Sequence, residues 1–148
     1  MTADARHVLF RAGGERFALP LESVREVVVP HPPFARVPRA PPAVRGAMNL
    51  RGRVVAVVEL AGLLGIPAGA EPPEQQSHLV ILDRGRRGVG ILVGAVLGVE
   101  ALPAAPAAPP RASPLVRGVT VSEAHGAAVT VLDADELEAR AAGLFGAA

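Results

Sequence analysis

Side chains that could act in catalysis or bind metals are scattered along this 148-residue chain. The chain has no cysteine, which excludes disulfides, thiolate metal ligands and cysteine nucleophiles. It also lacks the glycine motifs that bind phosphates or dinucleotides, and the nucleophile elbow of hydrolases. None of the histidines stands at metal-ligand spacing with another histidine or a carboxylate: His7, His31, His78 and His125. The sequence therefore predicts no catalytic residue, no metal site and no cofactor.

The charged side chains do not form the basic surface that binding of nucleic acid requires. The formal net charge is +1, and all 15 basic residues are arginines. Several of them cluster in sequence between positions 36 and 53, but the nearest aromatic residue is Phe34, just before the cluster. Bases of single-stranded nucleic acid stack on aromatic side chains, so we expect no nucleic-acid partner. The carboxylate pairs Glu22/Glu26 and Asp133/Asp135 are expected at a solvated surface or a helix start.

The hydropathy pattern predicts neither a secretory signal nor membrane insertion. Asp4 and Arg6 interrupt the N-terminus, and no apolar segment follows them. The longest nearly uncharged run, residues 88–99, is about half as long as a membrane-spanning helix must be. Together with the absence of cysteine, this pattern favours a location in the cytoplasm.

The segment most typical of a binding function comprises residues 44–60, with the sequence VRGAMNLRGRVVAVVEL. Apolar runs flank Arg51 and Gly52, which predicts a β-hairpin with these two residues in its turn. Glycine tolerates the positive φ angle that such a turn requires. The turn would present the Arg51 guanidinium at a loop tip, open to a partner. The residues alone leave a second interpretation open, an exposed turn arginine without function.

The elements that position this turn belong to an internal repeat. Apolar and turn residues recur at a constant offset of 72 positions, from Phe10 and Leu82 to the Val-Arg-Gly triplets at residues 44–46 and 116–118. Beyond the triplets the second copy has two additional residues, so that Gly52 corresponds to Gly126. The constant offset indicates a duplication, and coincidence between two β-rich halves of similar composition is the alternative.

Each copy of the repeat predicts five short strands. They are expected at residues 7–11, 16–21, 24–29, 47–50 and 53–59 in the first copy, and at 79–82, 88–93, 96–102, 119–122 and 127–132 in the second. Proline-rich connectors, residues 30–42 and 103–114, precede the fourth strand of each copy. One helical turn is predicted at residues 60–64. A short C-terminal helix is predicted at residues 133–144, with Asp133 as N-cap and Glu136 at the capping-box position.

Five short strands with bare edges do not form a stable open sheet, and closure into a small barrel removes most of those edges. The predicted fold class is therefore mainly β, with two five-stranded barrel subdomains side by side and a short C-terminal helix. We expect an N-terminal tail at 1–5, a single domain at 6–140 and a C-terminal tail at 141–148. Within the domain, the subdomains are expected at about 6–70 and about 77–140.

Residues 44–60 closely resemble the signature of the CheW family of chemotaxis coupling proteins, in which an Asn-Leu-Arg-Gly motif lies between two apolar strands. Three further segments resemble the family: FALPLESVREVV, HLVILDRGRRGVGILVGAVLGVEALP and VRGVTVSEAHGAAVTVLDADEL. The resemblance covers residues 6–140, nearly the whole chain. It implies two five-stranded SH3-like β-barrels related by a pseudo-twofold, in agreement with the repeat.

The resemblance also implies a function without catalysis. Members of the family bridge the signalling-tip helices of chemoreceptors and the CheW-like regulatory domain of the histidine kinase CheA, within receptor arrays. The motif arginine, which is important for receptor binding, corresponds to Arg51, and Asn49, Gly46 and Val24 match neighbouring receptor-side positions. Gly52 and Gly118 are expected to be structural turn residues. The expected protein is cytoplasmic, recruited to receptor arrays and without direct membrane insertion.

The second connector departs from the family pattern, because residues 101–114 are unusually rich in alanine and proline. This departure leaves a second function open, a specialised paralogue that binds receptor but not kinase in a non-flagellar pathway such as motility reversal. A third hypothesis is a small-molecule-binding barrel module. It would require a deep polar pocket, for which the sequence offers few polar residues. The turn with Arg51 corresponds to residues 123–126 in the second copy, which carry no arginine, so the two barrels are expected to face different partners.

Overall fold

The computed structural model describes residues 5–66, 77–83, 88–104 and 113–144. The first copy of the repeat contains β1 Ala5–Ala12, β2 Glu15–Pro20, β3 Val24–Val28, β4 Val44–Leu50, β5 Arg53–Glu59 and the helix α1 Leu60–Leu64. The second copy contains β6 His78–Leu82, β7 Val89–Val93, β8 Ala95–Leu102, β9 Val116–Ser122, β10 Ala127–Leu132 and α2 Ala134–Gly143. Most of the second predicted connector, the turn after β6 and the outer parts of both tails lie outside the described residues.

The ten strands form two five-stranded sheets, which confirms the mainly β fold class with a short C-terminal helix. Sheet 1 has the order β8-β1-β2-β10-β9, and sheet 2 has the order β3-β6-β7-β5-β4. The pairs β2–β10 and β5–β7 are parallel, and the other neighbours are antiparallel. Within the described residues, no hydrogen-bonded ladder joins the two edge strands of either sheet.

The two sheets do not coincide with the two halves of the chain. The hairpin β1–β2 pairs with strands of the second copy, and the hairpin β6–β7 pairs with strands of the first. The expectation that residues of about 6–70 and about 77–140 each pair into their own barrel is therefore wrong. The physical reason lies in the exchanged hairpins, which are apolar on both faces, as β7 is buried at all five of its residues. Such a hairpin must lie in the centre of a sheet, where both of its faces are covered by packed side chains.

The duplication is visible in the irregularities of the strands as well as in their order. Register shifts leave one additional residue in each of four strands, Arg25 in β3, Leu97 in β8, Arg45 in β4 and Arg117 in β9. These residues form two pairs at the same offset of 72 positions. A β-bulge bends its strand and increases the local twist, so both copies curve their sheets at corresponding points.

Apolar side chains form one central core and one smaller cluster inside each sheet. The central core lies where the two exchanged hairpins pack against each other, with Phe10 and Phe17 stacked at 6.3 Å between ring centroids. The interior of sheet 2 holds Met48, Val55, Val57, Leu79, Ile81 and Leu92. The interior of sheet 1 holds Leu9, Ala18, Leu102 and Val129. Because the hairpins are exchanged, both copies contribute side chains to the central core.

The helix α2 closes the central core at one side. Asp133 is its N-cap, and the carboxylate accepts a hydrogen bond from the backbone N–H of Glu136 at 3.0 Å, as the capping pattern predicts. Leu137 and Ala141 of this helix are fully buried in the central core. None of the described helices is long and apolar enough to cross a membrane.

Candidate protein-interaction site

The turn between β4 and β5 has the geometry that the sequence predicts for it. Leu50 and Arg53 are paired across the hairpin, and the two residues between them, Arg51 and Gly52, have φ angles of 52° and 83°. Two consecutive left-handed residues are the mark of a tight two-residue turn whose twist matches that of the strands. The side-chain oxygen of Asn49 accepts a hydrogen bond from the Gly52 N–H at 2.7 Å. Asn49 therefore stabilises the turn that carries Arg51.

Arg51 reaches from this turn to the opposite edge of sheet 2. Its Nη1 and Nη2 atoms donate to the two carboxylate oxygens of Glu26 in β3, at 3.1 and 2.7 Å. The Arg51 side chain is 70% exposed and that of Glu26 is 26% exposed. Because β3 and β4 are the two edge strands of the sheet, this forked ion pair shows that the sheet curls until its edges approach each other.

The Glu26 carboxylate has two effects on Arg51. Its hydrogen bonds and its charge raise the pKa of the guanidinium above the ordinary value, so the side chain stays charged at every physiological pH. The forked geometry also limits the rotation of the side chain. The sequence pattern placed Glu26 at a solvated surface or a helix start, and its side chain is 26% exposed in β3. The ion pair with Arg51 could not be predicted, because the partner lies 25 positions away in the sequence.

Gly46 lies in β4 beneath the connector that crosses it. Its φ angle is 142°, and a Cβ atom there would stand 2.6 Å from the carbonyl oxygen of Ala35 and 2.7 Å from the Cβ of Phe34. Ala35 and Ala47 exchange two backbone hydrogen bonds of 2.8 Å at this crossing. The geometry gives buried Gly46 a packing role, in which the absent side chain lets the connector lie on the strand.

The remaining predicted site residues have different positions in the fold. Val24 is half-buried at the start of β3 and packs against the central core. Gly118 is buried inside β9, opposite Val131. The expectation that Gly118 is a turn residue is wrong, since the corresponding turn lies at residues 123–126 with Gly126 at a φ of 59°. Of the four predicted receptor residues, Arg51 and Asn49 share the exposed turn, while Gly46 and Val24 support the strands beside it.

Sheet 1 connects its two edges in a chemically different way. Glu100 of β8 accepts a hydrogen bond from the Ser122 hydroxyl at 2.6 Å and another from the Ala124 N–H at 3.2 Å. The hydroxyl of Ser122 in turn accepts from the His125 N–H at 3.1 Å. Each sheet thus uses a glutamate on one edge strand to hold the turn beside the other, but only the first copy presents an arginine there.

The Glu100 contacts predict a pH dependence of stability. The Ser122 hydrogen bond is the largest of the effects that lower the pKa of Glu100 below its ordinary value of 4.5. A carboxyl whose pKa is lowered by folding stabilises the fold above its unfolded pKa, and this contribution disappears as the pH falls through the folded pKa. We expect E100Q to melt at a lower temperature than the wild type near pH 7, and the difference to shrink steadily below about pH 4.5. Thermal melts over this pH range measure the effect, and a difference that is independent of pH would contradict it.

The described residues contain no group of histidines and carboxylates that could hold a metal ion. The side chains of Asn49, Glu100 and Ser122 accept hydrogen bonds from backbone N–H groups of the two turns. The arrangement is suited to recognition of another protein, because a charged side chain of fixed orientation stands on a stable turn.

The chain is similar in sequence and in fold to known proteins. The family model described as the CheW-like domain matches residues 6–141. The chain is similar to the probable chemotaxis protein CheW of Rhizobium etli, with 37% identity over 63% of this chain and 58% of that protein. It is 36% identical to the chemotaxis protein CheW of Rhizobium meliloti over 65% of each chain. The matched part thus spans less than two thirds of the length of these relatives.

A third relative in sequence has a different name, and a solved structure is similar in fold. The protein PilI of Pseudomonas aeruginosa is 30% identical over 64% of this chain and 51% of its own length. The crystal structure of the scaffolding protein TtCheW from Thermoanaerobacter tengcongensis superposes with a TM-score of 0.76. It covers 90% of this chain and 86% of that chain at 22% sequence identity, a likeness of fold.

Proposed function

The chain belongs to the CheW-like family, and from that premise we propose that it is a non-enzymatic adaptor that couples chemoreceptors to a CheA-type histidine kinase. Its relatives include proteins named as chemotaxis proteins and as a scaffolding protein. The proposal places the protein in the cytoplasm, at receptor arrays, with residues 6–140 as the coupling domain.

The geometry of Arg51 is the observation that supports binding to a chemoreceptor. The guanidinium is exposed, yet its fork is held by both oxygens of Glu26. A side chain that is ordered before binding loses less conformational freedom when a partner arrives. Arginine has five N–H donors, so those not used by Glu26 can bond to a carboxylate or to backbone carbonyls of a receptor helix.

The difference between the two turns supports a separate surface for the kinase. The turn after β9 is tied to Glu100 and presents no arginine. Exposed valines lie on the same edge strand, Val119 and Val121, at 50% and 57% exposure. An apolar edge and a basic turn attract partners of different chemistry, which is what an adaptor with two partners requires.

Binding measurements with the full chain test the proposal. Isothermal titration calorimetry would use, in turn, the signalling fragment of a chemoreceptor and the regulatory domain of the histidine kinase. We expect each to bind alone, and both together to form a ternary complex. If neither the receptor fragment nor the kinase domain binds, the proposal is overturned.

A specialised paralogue is a second candidate, and the similarity to protein PilI favours it. This candidate binds a receptor but not a kinase, in a pathway other than flagellar chemotaxis. The same titrations separate the two functions, because binding to the receptor fragment without binding to the kinase domain supports the paralogue alone.

A further inference from the structure

The hairpin β1–β2 in sheet 1 carries two arginines directly opposite each other. Arg11 of β1 and Arg16 of β2 are cross-strand partners, so their side chains emerge on the same face with Cβ atoms about 5 Å apart. The face is the one that carries Leu9 and Ala18, two positions away on each strand, at the interior of sheet 1. Two like charges directly opposite each other destabilise a hairpin.

Within the described residues, no carboxylate is paired with either guanidinium group to offset this repulsion. Both residues are half-buried, yet among the described residues neither forms an ion pair with a carboxylate. The Arg16 Nε atom is buried and has no hydrogen-bond partner. Glu15 is adjacent in sequence, but strand alternation directs it to the opposite face. Burial of an unpaired charged group and of an unsatisfied N–H costs free energy.

The second copy of the repeat shows that the fold does not require this pair. At the offset of 72 positions, Arg11 and Arg16 correspond to Asp83 and Gly88. These positions lie one residue beyond the ends of β6 and β7, and Asp83 pairs with Arg25 at 3.5 Å. The second copy therefore carries no pair of like charges at the corresponding positions.

We infer that Arg11 and Arg16 form a docking site for an acidic segment of a protein partner, separate from the Arg51 turn. Paired carboxylates on one peptide match two guanidinium groups at cross-strand spacing, since each guanidinium binds one carboxylate through two parallel N–H donors. In the turn of this hairpin, the space at Gly14 is open, because a Cβ atom there would meet nothing within 4 Å.

Docking would use the Nε–H group of Arg16, which has no hydrogen-bond partner in the free protein. The buried Arg16 Nε gains a partner when the side chain turns outward to present its Nε–Nη edge to a carboxylate. The incoming negative charges also remove the repulsion between the two arginines. The site lies on sheet 1, whereas Arg51 and Glu26 belong to sheet 2, so the two surfaces can be tested independently.

The test uses a tetraglutamate peptide as the probe and nuclear magnetic resonance of the full chain. The Nε–H signals of the arginines report contact directly. We expect the peptide to shift the Arg11 and Arg16 signals, and either R11Q or R16Q to weaken binding about tenfold. R53Q is the matched control, because Arg53 is an exposed strand arginine outside the pair. This control should bind the peptide as the wild type does.

Three results would overturn the inference. The first is no shift of either signal, and the second is equal weakening by R53Q, which would indicate non-specific attraction. The third is an equal response to inorganic phosphate or to tetraglutamine at the same ionic strength, which would remove the need for paired carboxylates. Backbone amide spectra of R11Q and R16Q confirm that both variants are folded, so a loss of binding cannot come from unfolding.

Discussion

Replacing Arg51 by alanine is expected to weaken binding of a chemoreceptor signalling fragment about tenfold or more, since arginines at the centre of an interface are among its strongest contributors. The substitution removes an exposed guanidinium that Glu26 holds in a fixed orientation. We expect the fold to be unaffected, because surface ion pairs contribute little to stability. Alanine at this position would adopt the φ angle of 52° that arginine adopts, so the backbone strain in the turn would stay similar.

Two further variants separate the charge of Arg51 from its shape. R51K retains the charge but cannot form the planar fork, and we expect an affinity between those of the wild type and R51A. R53A removes an exposed arginine two residues away in the same hairpin and should leave receptor affinity unchanged. Calorimetric titration gives the affinities, and circular dichroism melts report the fold. An R51A variant that is folded and binds the receptor fragment as tightly as the wild type would refute the role of Arg51.

Replacing Gly46 by alanine is expected to lower the free energy of unfolding by about 3 kcal/mol, from backbone strain together with overpacking. The new Cβ atom would stand 2.6 Å from the backbone oxygen of Ala35, and backbone cannot rotate away as a side chain can. We expect the connector to be displaced, which would break the paired hydrogen bonds between Ala35 and Ala47. Urea unfolding measures the change.

Gly98 offers a matched control for this experiment. Its φ angle of 136° is close to the 142° of Gly46, but a Cβ atom there would meet nothing within 4 Å. G98A therefore carries the backbone strain without the collision, and we expect it to destabilise the protein by clearly less than G46A does. Equal losses of stability in the two variants would show that the collision with the connector contributes nothing.

The local elements of the fold could be predicted because their signals are local. The strand β5 and the helical turn α1 occupy the predicted residues, 53–59 and 60–64. The turn at Arg51 and Gly52 also follows from neighbouring residues, since apolar alternation on both sides leaves these two positions for the reversal. Asp133 caps α2 for the same reason, as its partner Glu136 is three residues away.

The partners of the site residues could not be predicted from the same patterns. Glu26 and Arg51 are 25 positions apart, and nothing in the alternation of β3 indicates that its glutamate faces a turn on another edge of the sheet. The close contact of Gly46 with Ala35 depends on the path of a connector that has no regular secondary structure around it. That no carboxylate of the described residues is paired with Arg11 or Arg16 is likewise a property of the assembled sheet.

The sequence by itself determined the number of strands, their order along the chain, the duplication and the turn that presents Arg51. These features depend on alternation, turn chemistry and a constant offset, all of which act over a few residues or repeat along the chain. The tertiary structure alone decided that the central hairpins are exchanged between copies and that Glu26 orients Arg51. The physical reason is that strand pairing is non-local: a strand with two apolar faces can pair with several partners, and only the burial of all apolar faces at once selects among them.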